Sequence, residues 1–245
     1  MTRALTVKNA GKDYKSSGKT IKALSGVDLS VEKNEFVCVV GPNGCGKSTL
    51  LKIAGGILEH SSGDVNVIKK TAYLPQSPSL LPWRTIEDNM MLPAEIRKTG
   101  TKTARNKARK MLQEFDLSEF AEAYPRALSG GMQQKAVLIR SVLTNPRLLL
   151  LDEPFSALDA ITRVNMQSWL LDLWQKSRPA VVCVTHDIRE AIFLSDTIYV
   201  MSGRPGTIKE RLEVDLPRPR KHRHLHLEKA KKLEKRLNVL LGVKG

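Results

Sequence analysis

The sequence predicts an α/β fold: a mostly parallel core sheet flanked by helices, with an antiparallel β-region at the N-terminus. Three observations carry this. The stretch Gly41-Pro-Asn-Gly-Cys-Gly-Lys47-Ser48-Thr49 fits the template G-x-x-x-x-G-K-[ST] without mismatch and lies between an apolar run, Phe36–Val40, and a helix-like run, Lys47–Ala54. That is the strand–loop–helix order of a phosphate-binding loop. Two further continuous apolar runs, Leu148–Leu151 and Ala180–Val184, end in polar residues, as strands buried on both faces of a parallel sheet do. Residues Ala4–Ser30 instead alternate apolar and polar, the pattern of half-buried strands.

In chain order, turns are expected at Ser16-Ser-Gly18 and Ser25-Gly26, with Tyr14 just before the first. In the phosphate loop, Gly41, Gly44 and Gly46 let the backbone approach phosphate oxygens with no Cβ in the way. Its N–H groups and the helix start offer positive partial charge, Lys47 a full one for the β- and γ-phosphates, and the Ser48 hydroxyl a ligand for Mg²⁺. Gly55-Gly56 ends the helix, Ser61-Ser-Gly63 turns, Asp64–Ile68 alternates like a strand, and Tyr73-Leu-Pro-Gln76 ends another. A loop, Ser77–Trp83, precedes a charged helical stretch from Ile86 to about Phe120. Its basic residues, Arg97 to Lys110, read as a solvated helix face.

Ser129 can cap a helix that runs to Leu143, where Asn145-Pro146 stops it. Gly130 and Gly131 expose N–H groups at that helix start, which reads either as a plain structural cap or as a second anion site. Arg147–Pro154 is a buried strand ending in two carboxylates. Ligands gather at the carboxyl ends of such strands, so Asp152 can hold the Mg²⁺ shell and Glu153 can take a proton from an attacking water. His186 ends the next buried strand and reads either as a γ-phosphate contact or as structural. Ile198–Met201 is a strand and Ser202-Gly-Arg-Pro-Gly206 a turn. Leu216–Arg220 reads as an extended linker. Beyond it His222, His224 and His226 alternate, and Glu228–Leu241 sets Leu233, Leu237, Leu240 and Leu241 on one face opposite Lys and Arg, a helix that docks on its own domain.

The 245 residues carry a net charge of +15, of which the last thirty contribute +8, with ten Lys/Arg against two Asp/Glu. Such a balance suits nucleic acid, anionic lipid or an anionic ligand, and reads most plainly as a solvated basic surface near a membrane. Aromatic interleaving is missing at 5% Phe, Trp and Tyr, so no nucleic-acid partner is expected. Three scattered cysteines, Cys38, Cys45 and Cys183, have neither disulfide nor metal spacing. Cys45 reads as a space-filling residue inside the loop, although a helix N-terminus can lower a thiol pKa. No apolar run is long enough to span a bilayer, and the first residues lack the apolar core of a signal peptide. A cytoplasmic location is expected by elimination.

Taken in order, these motifs resemble the ATP-binding subunits of ABC transporters over Leu5 to about Arg220. The discriminating piece is Leu128-Ser-Gly-Gly-Met-Gln-Gln134, and Asp152-Glu-Pro-Phe-Ser-Ala-Leu-Asp159 joins the magnesium strand to what looks like the D-loop. Gln76 resembles the Q-loop glutamine, a Mg²⁺ ligand and link to the membrane subunit. His186 resembles the switch histidine, and Tyr14 the aromatic stacked on adenine. Leu80-Leu-Pro-Trp-Arg-Thr-Ile86 and Ser202-Gly-Arg-Pro-Gly206 are similar to a narrower group, the ATPases of nitrate/sulfonate/taurine-type importers. Departures from that group are a short Gly63–Gln76 segment, which implies a trimmed N-terminal β-subdomain, Leu74-Pro75 in place of Val-Phe, and Lys135 and Ile139 after the signature.

The resemblance implies a P-loop NTPase of ABC type. Residues 1–220 form the ATPase domain, with a helical signature subdomain at about 77–135, and residues 221–245 form a basic helical tail. Its cofactors are ATP and Mg²⁺. ATP would touch Tyr14, the whole loop (Gly41, Pro42, Asn43, Gly44, Cys45, Gly46, Lys47, Ser48, Thr49) and Gln76. Mg²⁺ would take Ser48, Gln76 and Asp152; catalysis would fall to Glu153, His186 and Lys47. Ser129, Gly130, Gly131 and Asp159 would act on the nucleotide of a second copy in a head-to-tail dimer. Implied partners are two membrane-spanning permease subunits and, indirectly, an extracytoplasmic solute-binding protein. The chain would sit on the cytoplasmic face of the membrane and power import of a small anionic solute. The alternatives are a soluble, nucleic-acid-associated ABC ATPase, which the charge suits, and a non-catalytic nucleotide-binding regulator, which Glu153 and His186 argue against.

Overall fold

The computed structural model describes residues 3–16 and 19–242. Ser17 and Gly18, in the first expected turn, lie outside the described residues. β1 (Arg3–Ser16) and β2 (Lys19–Glu32) pair antiparallel. The second expected turn is corrected: Ser25-Gly26 is a bulge inside β2. The register steps from Ala10↔Val27 to Lys12↔Leu24, and Gly26 takes φ +61°. A glycine within a strand marks such an insertion as readily as a turn.

β3 (Phe36–Val40) leads through the phosphate loop into α1 (Lys47–Ala54), and β4 (Ser62–Val67) returns antiparallel to the other side of β1. β5 (Thr71–Leu74) crosses to the core sheet. α2 (Ile86–Ile96), α3 (Thr101–Glu114) and α4 (Gly130–Leu143) follow. The helical stretch divides into two helices, because Lys98 adopts φ +52° and Gly100 restarts the chain. Its basic run is not wholly solvated: Arg105 and Arg109 pair with the buried Glu87 at 2.5 and 2.7 Å. A buried carboxylate needs such partners.

β6 (Leu148–Asp152), α5 (Ala160–Ser177), β7 (Ala180–Thr185), α6 (Ile188–Leu194), β8 (Thr197–Met201), β9 (Ile208–Glu213) and α7 (Glu228–Leu241) complete the chain. The core sheet runs β5-β6-β7-β3-β8-β9, parallel except for β9. Its central strands are buried on both faces, as their unbroken apolar text requires. The pleat sorts their side chains. Phe36, Cys38, Val40, Leu149 and Leu151 join the core shared with α2 to α7, while Val37, Val39, Leu148 and Leu150 join the one shared with α1 and the N-terminal sheet.

The tail is part of this architecture. Leu237 and Ala230 of α7 are buried, and Leu233, Leu240 and Leu241 pack beside them. Burying one such leucine contributes about 1.5–3 kcal/mol. The expected extended linker at Leu216–Arg220 is irregular chain between β9 and α7, and its arginines are anchored. Arg218 bonds Asp196 at 2.8 Å and stacks 4.1 Å over Trp174, and the buried Arg220 donates to the Ser195 carbonyl at 2.8 Å. These arginines are structural rather than solvated charge. No described helix is long and apolar enough to cross a membrane.

Candidate functional site

The carboxyl ends of the parallel strands line up in sheet order. Gln76 follows β5, Asp152 and Glu153 close β6, His186 follows β7, the phosphate loop follows β3, and Arg204 follows β8. Ligands of open parallel sheets bind at this edge. A cleft of about 510 Å³ opens there, lined by Asn43, Gly44, Gly46, Lys47, Ser48 and Thr49 of the loop, by Gln76, Glu153 and His186, by Tyr14 and Ala23 from the N-terminal sheet, and by Arg204. Ala23 and Arg204 are residues that reading the sequence for phosphate chemistry misses. Arg204 lies within a motif that was legible, Ser202–Gly206, but nothing local says that the turn faces the loop.

The loop geometry follows from its glycines. Gly46, the residue before α1, holds φ +107°, and a Cβ there would meet Leu24 Cδ2 at 2.6 Å and the Ala23 carbonyl at 3.0 Å. Only glycine fits both demands. Lys47 is buried and folds back to donate to the Gly41 and Pro42 carbonyls at 2.9 and 3.0 Å. Its ammonium faces only neutral acceptors there, so a phosphate would be a stronger partner. The Tyr14 hydroxyl lies 3.4 Å from Thr49 Oγ1, which brings the aromatic from the β1–β2 hairpin to the start of α1.

Asp152 is 2% exposed, and its carboxylate receives only neutral hydroxyls, from Ser48 at 2.9 Å and Tyr73 at 3.1 Å. Burial pushes its pKa up, opposed by those two bonds; burial and the Asp152 charge push the Tyr73 hydroxyl up. A buried carboxylate with no ion pair among the described residues, next to a serine oxygen, fits Mg²⁺. No cluster of three acidic, histidine or cysteine ligands exists among the described residues, as expected for a metal that keeps phosphates and water in its shell.

Glu153 sits at φ +47°, a left-handed conformation that is costly for a residue with a long side chain. Its own N–H bonds the Val184 carbonyl at 3.0 Å, and Ser156 bonds its carbonyl at 3.0 Å. The Oε2 of this carboxylate accepts from Gln76 Nε2 at 3.1 Å and lies 3.4 Å from His186 Nδ1. The ends of three adjacent strands thus converge on one acid.

Cys45 is 1% exposed and burial pushes its thiol up, as suits a space-filling residue. Ser129 caps α4 by accepting from Met132 N–H at 3.3 Å, and Asp159 caps α5 by accepting from Ile161 and Thr162 N–H at 3.1 and 3.0 Å. Neither of them, nor Gly130 or Gly131, lines the cleft of their own chain.

Residues 24–156 match the ABC transporter family. The chain is 37% identical to an aliphatic sulfonates import ATP-binding protein of Bacillus cereus, over 87% of both chains. It is 39% identical to a nitrate import ATP-binding protein of Synechocystis, over 81% of this chain and 77% of the relative. The fold superposes with a TM-score of 0.79 and 30% identity on a dimeric ATP-binding cassette in a post-hydrolysis state with ADP and Pi, covering 86% of this chain and 98% of that one. When bound, Mg²⁺ would neutralise phosphate charge and fix the phosphates. A cleft built for a triphosphate and a metal, with an acid held at its edge, thus coincides with sequence and fold likeness over most of the chain: it belongs to the ABC transporter family, as an ATP-hydrolysing subunit that works with ATP and Mg²⁺.

Proposed function

We propose that this subunit powers an importer for a small anionic solute of the nitrate, sulfonate or taurine type. It would sit peripherally on the cytoplasmic face of the membrane, paired with a second copy and with two membrane-spanning permease subunits that an extracytoplasmic binding protein supplies. The observation that carries the reading is the division of the site. Lys47, Ser48, Gln76, Glu153 and His186 surround one cleft, while Ser129 and Gly130 are exposed elsewhere. In this reading Tyr14 stacks on the base, Lys47 and the loop hold the phosphates, and Ser48, Gln76 and Asp152 hold Mg²⁺. Glu153 polarises the water, His186 senses the γ-phosphate, and Ser129–Gly131 with Asp159 close over the second copy's nucleotide. Residues 77–135 carry the signature as a helical unit of the 1–220 domain, and 221–245 form a docked tail. The importers named among the relatives support the direction of transport; none of the relatives named above is a nucleic-acid protein.

The segment Gln76–Trp83 would couple the two halves. Its loop is anchored by the buried Asn89, which accepts from Leu81 N–H at 2.7 Å and donates to the Leu81 carbonyl at 3.1 Å, while Trp83 stands 71% exposed. A rigidly presented tryptophan is the side chain expected at the centre of an interface. Tagged protein purified from native membranes in mild detergent should carry a stoichiometric polytopic partner. Trp83→Ala should lose that partner, with affinity falling by about thirtyfold or more, and should bind ATP as the wild type does. Recovery only with RNA- or DNA-associated proteins overturns the importer reading. An equal loss of ATP affinity in the variant overturns the coupling role.

A further inference from the structure

We infer that Arg204 is a second cationic ligand of the nucleotide's phosphate chain, acting beside Lys47; this rests on the cleft being the ATP site. Arg204 lines the cleft with the loop residues Asn43 to Thr49, and the two are the only lysine or arginine side chains among the described lining residues. ATP carries more negative charge than Lys47 and a bound Mg²⁺ together offset, and the remainder would otherwise face only backbone dipoles. Arg204 makes no ion pair among the described residues, unlike Arg218 and Arg220, which are committed to Asp196. Its planar fork of donors is the side-chain shape that matches phosphate oxygens in pairs.

The turn that bears it is tied down on both sides. At its base the Ser202 N–H bonds the Thr207 carbonyl at 2.9 Å, and the Thr207 N–H bonds Ser202 Oγ at 2.9 Å. At its flank Gly206 donates to the Ala23 carbonyl at 2.9 Å and accepts from Ser25 N–H at 3.0 Å. The bulge found at Ser25-Gly26 is where β2 meets this turn. A Cβ on Gly206 would collide with the Cys45 carbonyl of the phosphate loop itself. The turn, the loop and the N-terminal sheet are therefore in direct contact, and the backbone that carries Arg204 is tied down before any nucleotide arrives. That lowers the ordering cost of the contact.

The test is calorimetric titration of ATP, ADP and adenosine into wild type, Arg204→Ala, Arg204→Lys, Lys47→Ala and, as a basic-surface control, Arg223→Ala. Arg204→Ala should weaken ATP about 10- to 100-fold, the range for a lost charge-assisted bond. It should leave adenosine unchanged, Arg204→Lys should recover part of the loss, and Arg223→Ala should match wild type. Unchanged ATP affinity in Arg204→Ala, alongside a loss in Lys47→Ala, overturns the inference and leaves the ATP site standing. An equal loss for ATP and adenosine also overturns it, because the residue then serves the nucleoside or the fold. Wild type that binds no ATP overturns the site and the inference together.

Discussion

Glu153→Gln should bind ATP normally, hydrolyse it about 10²- to 10⁴-fold more slowly, the typical cost of losing a general base, and accumulate as a closed dimer. The geometry makes the substitution a clean one. The backbone at Glu153 is pinned by Val184 and Ser156, and its Oε2 is held by Gln76 Nε2 at 3.1 Å. A glutamine oxygen can accept the same bond from Gln76, so position and shape survive while proton acceptance does not. No described side chain bonds Oε1, the oxygen left to a water. The loss should appear in kcat, with ATP affinity within about twofold of wild type, because an interaction made only in the transition state lowers kcat and spares binding. Size-exclusion chromatography with ATP and Mg²⁺ should show the dimer, and ADP should not support it. Hydrolysis near the wild-type rate would place the base elsewhere; failure to dimerise would mean that ATP does not close this pair.

How much of this was legible depended on whether the deciding physics was local. The phosphate loop, β6 and β7 all announce themselves in short runs: glycines at fixed spacing, then β-rich apolar text ending in polar residues. The parallel sheet follows from such runs because only strands covered on both faces have no polar side. Other features depended on contacts distant in sequence. The Ser25-Gly26 bulge and a turn look alike until Gly206 is seen bonded to Ala23 and Ser25, some 180 residues away. Leu216–Arg220 reads as a linker because Pro and Arg favour extended, solvated chain, yet Asp196 and Trp174 offer those arginines partners. β9, Ile-Lys-Glu-Arg-Leu-Glu213, carries almost no apolar alternation, since it is an edge strand. α5 was readable: Met166, Leu170, Leu171 and Trp174 recur at helical spacing and are all buried. It carries no chemistry, so no motif marks it.

The second large effect is expected at Gly130, and it tests whether the site is split between two chains. Gly130 is exposed at the first turn of α4, and a Cβ there would meet nothing within 4 Å. Gly130→Asp should therefore fold without strain. A carboxylate at a helix N-terminus should even stabilise α4, by about 0.3–1 kcal/mol, raising the melting temperature slightly. If this helix start receives the second copy's γ-phosphate, the same carboxylate opposes that phosphate, and ATPase activity should fall by a factor on the order of 10², as when an electrostatic donor is lost from a transition state. ATP binding by the isolated chain should persist, since Lys47 and the loop are untouched. Stability up and activity down, from one exposed residue outside the cleft, is not a combination that a structural cap can produce. The decisive step is mixing. Glu153→Gln keeps a good Gly130 face, and Gly130→Asp keeps a good acid. A dimer of one of each contains one composite site with both intact. Random pairing makes half the dimers mixed, each with one of two sites active, so two nearly inactive proteins should recover about a quarter of wild-type activity when combined. No recovery on mixing would mean that each chain hydrolyses with its own residues alone, and the exposed helix start of α4 would then have to answer to some other partner.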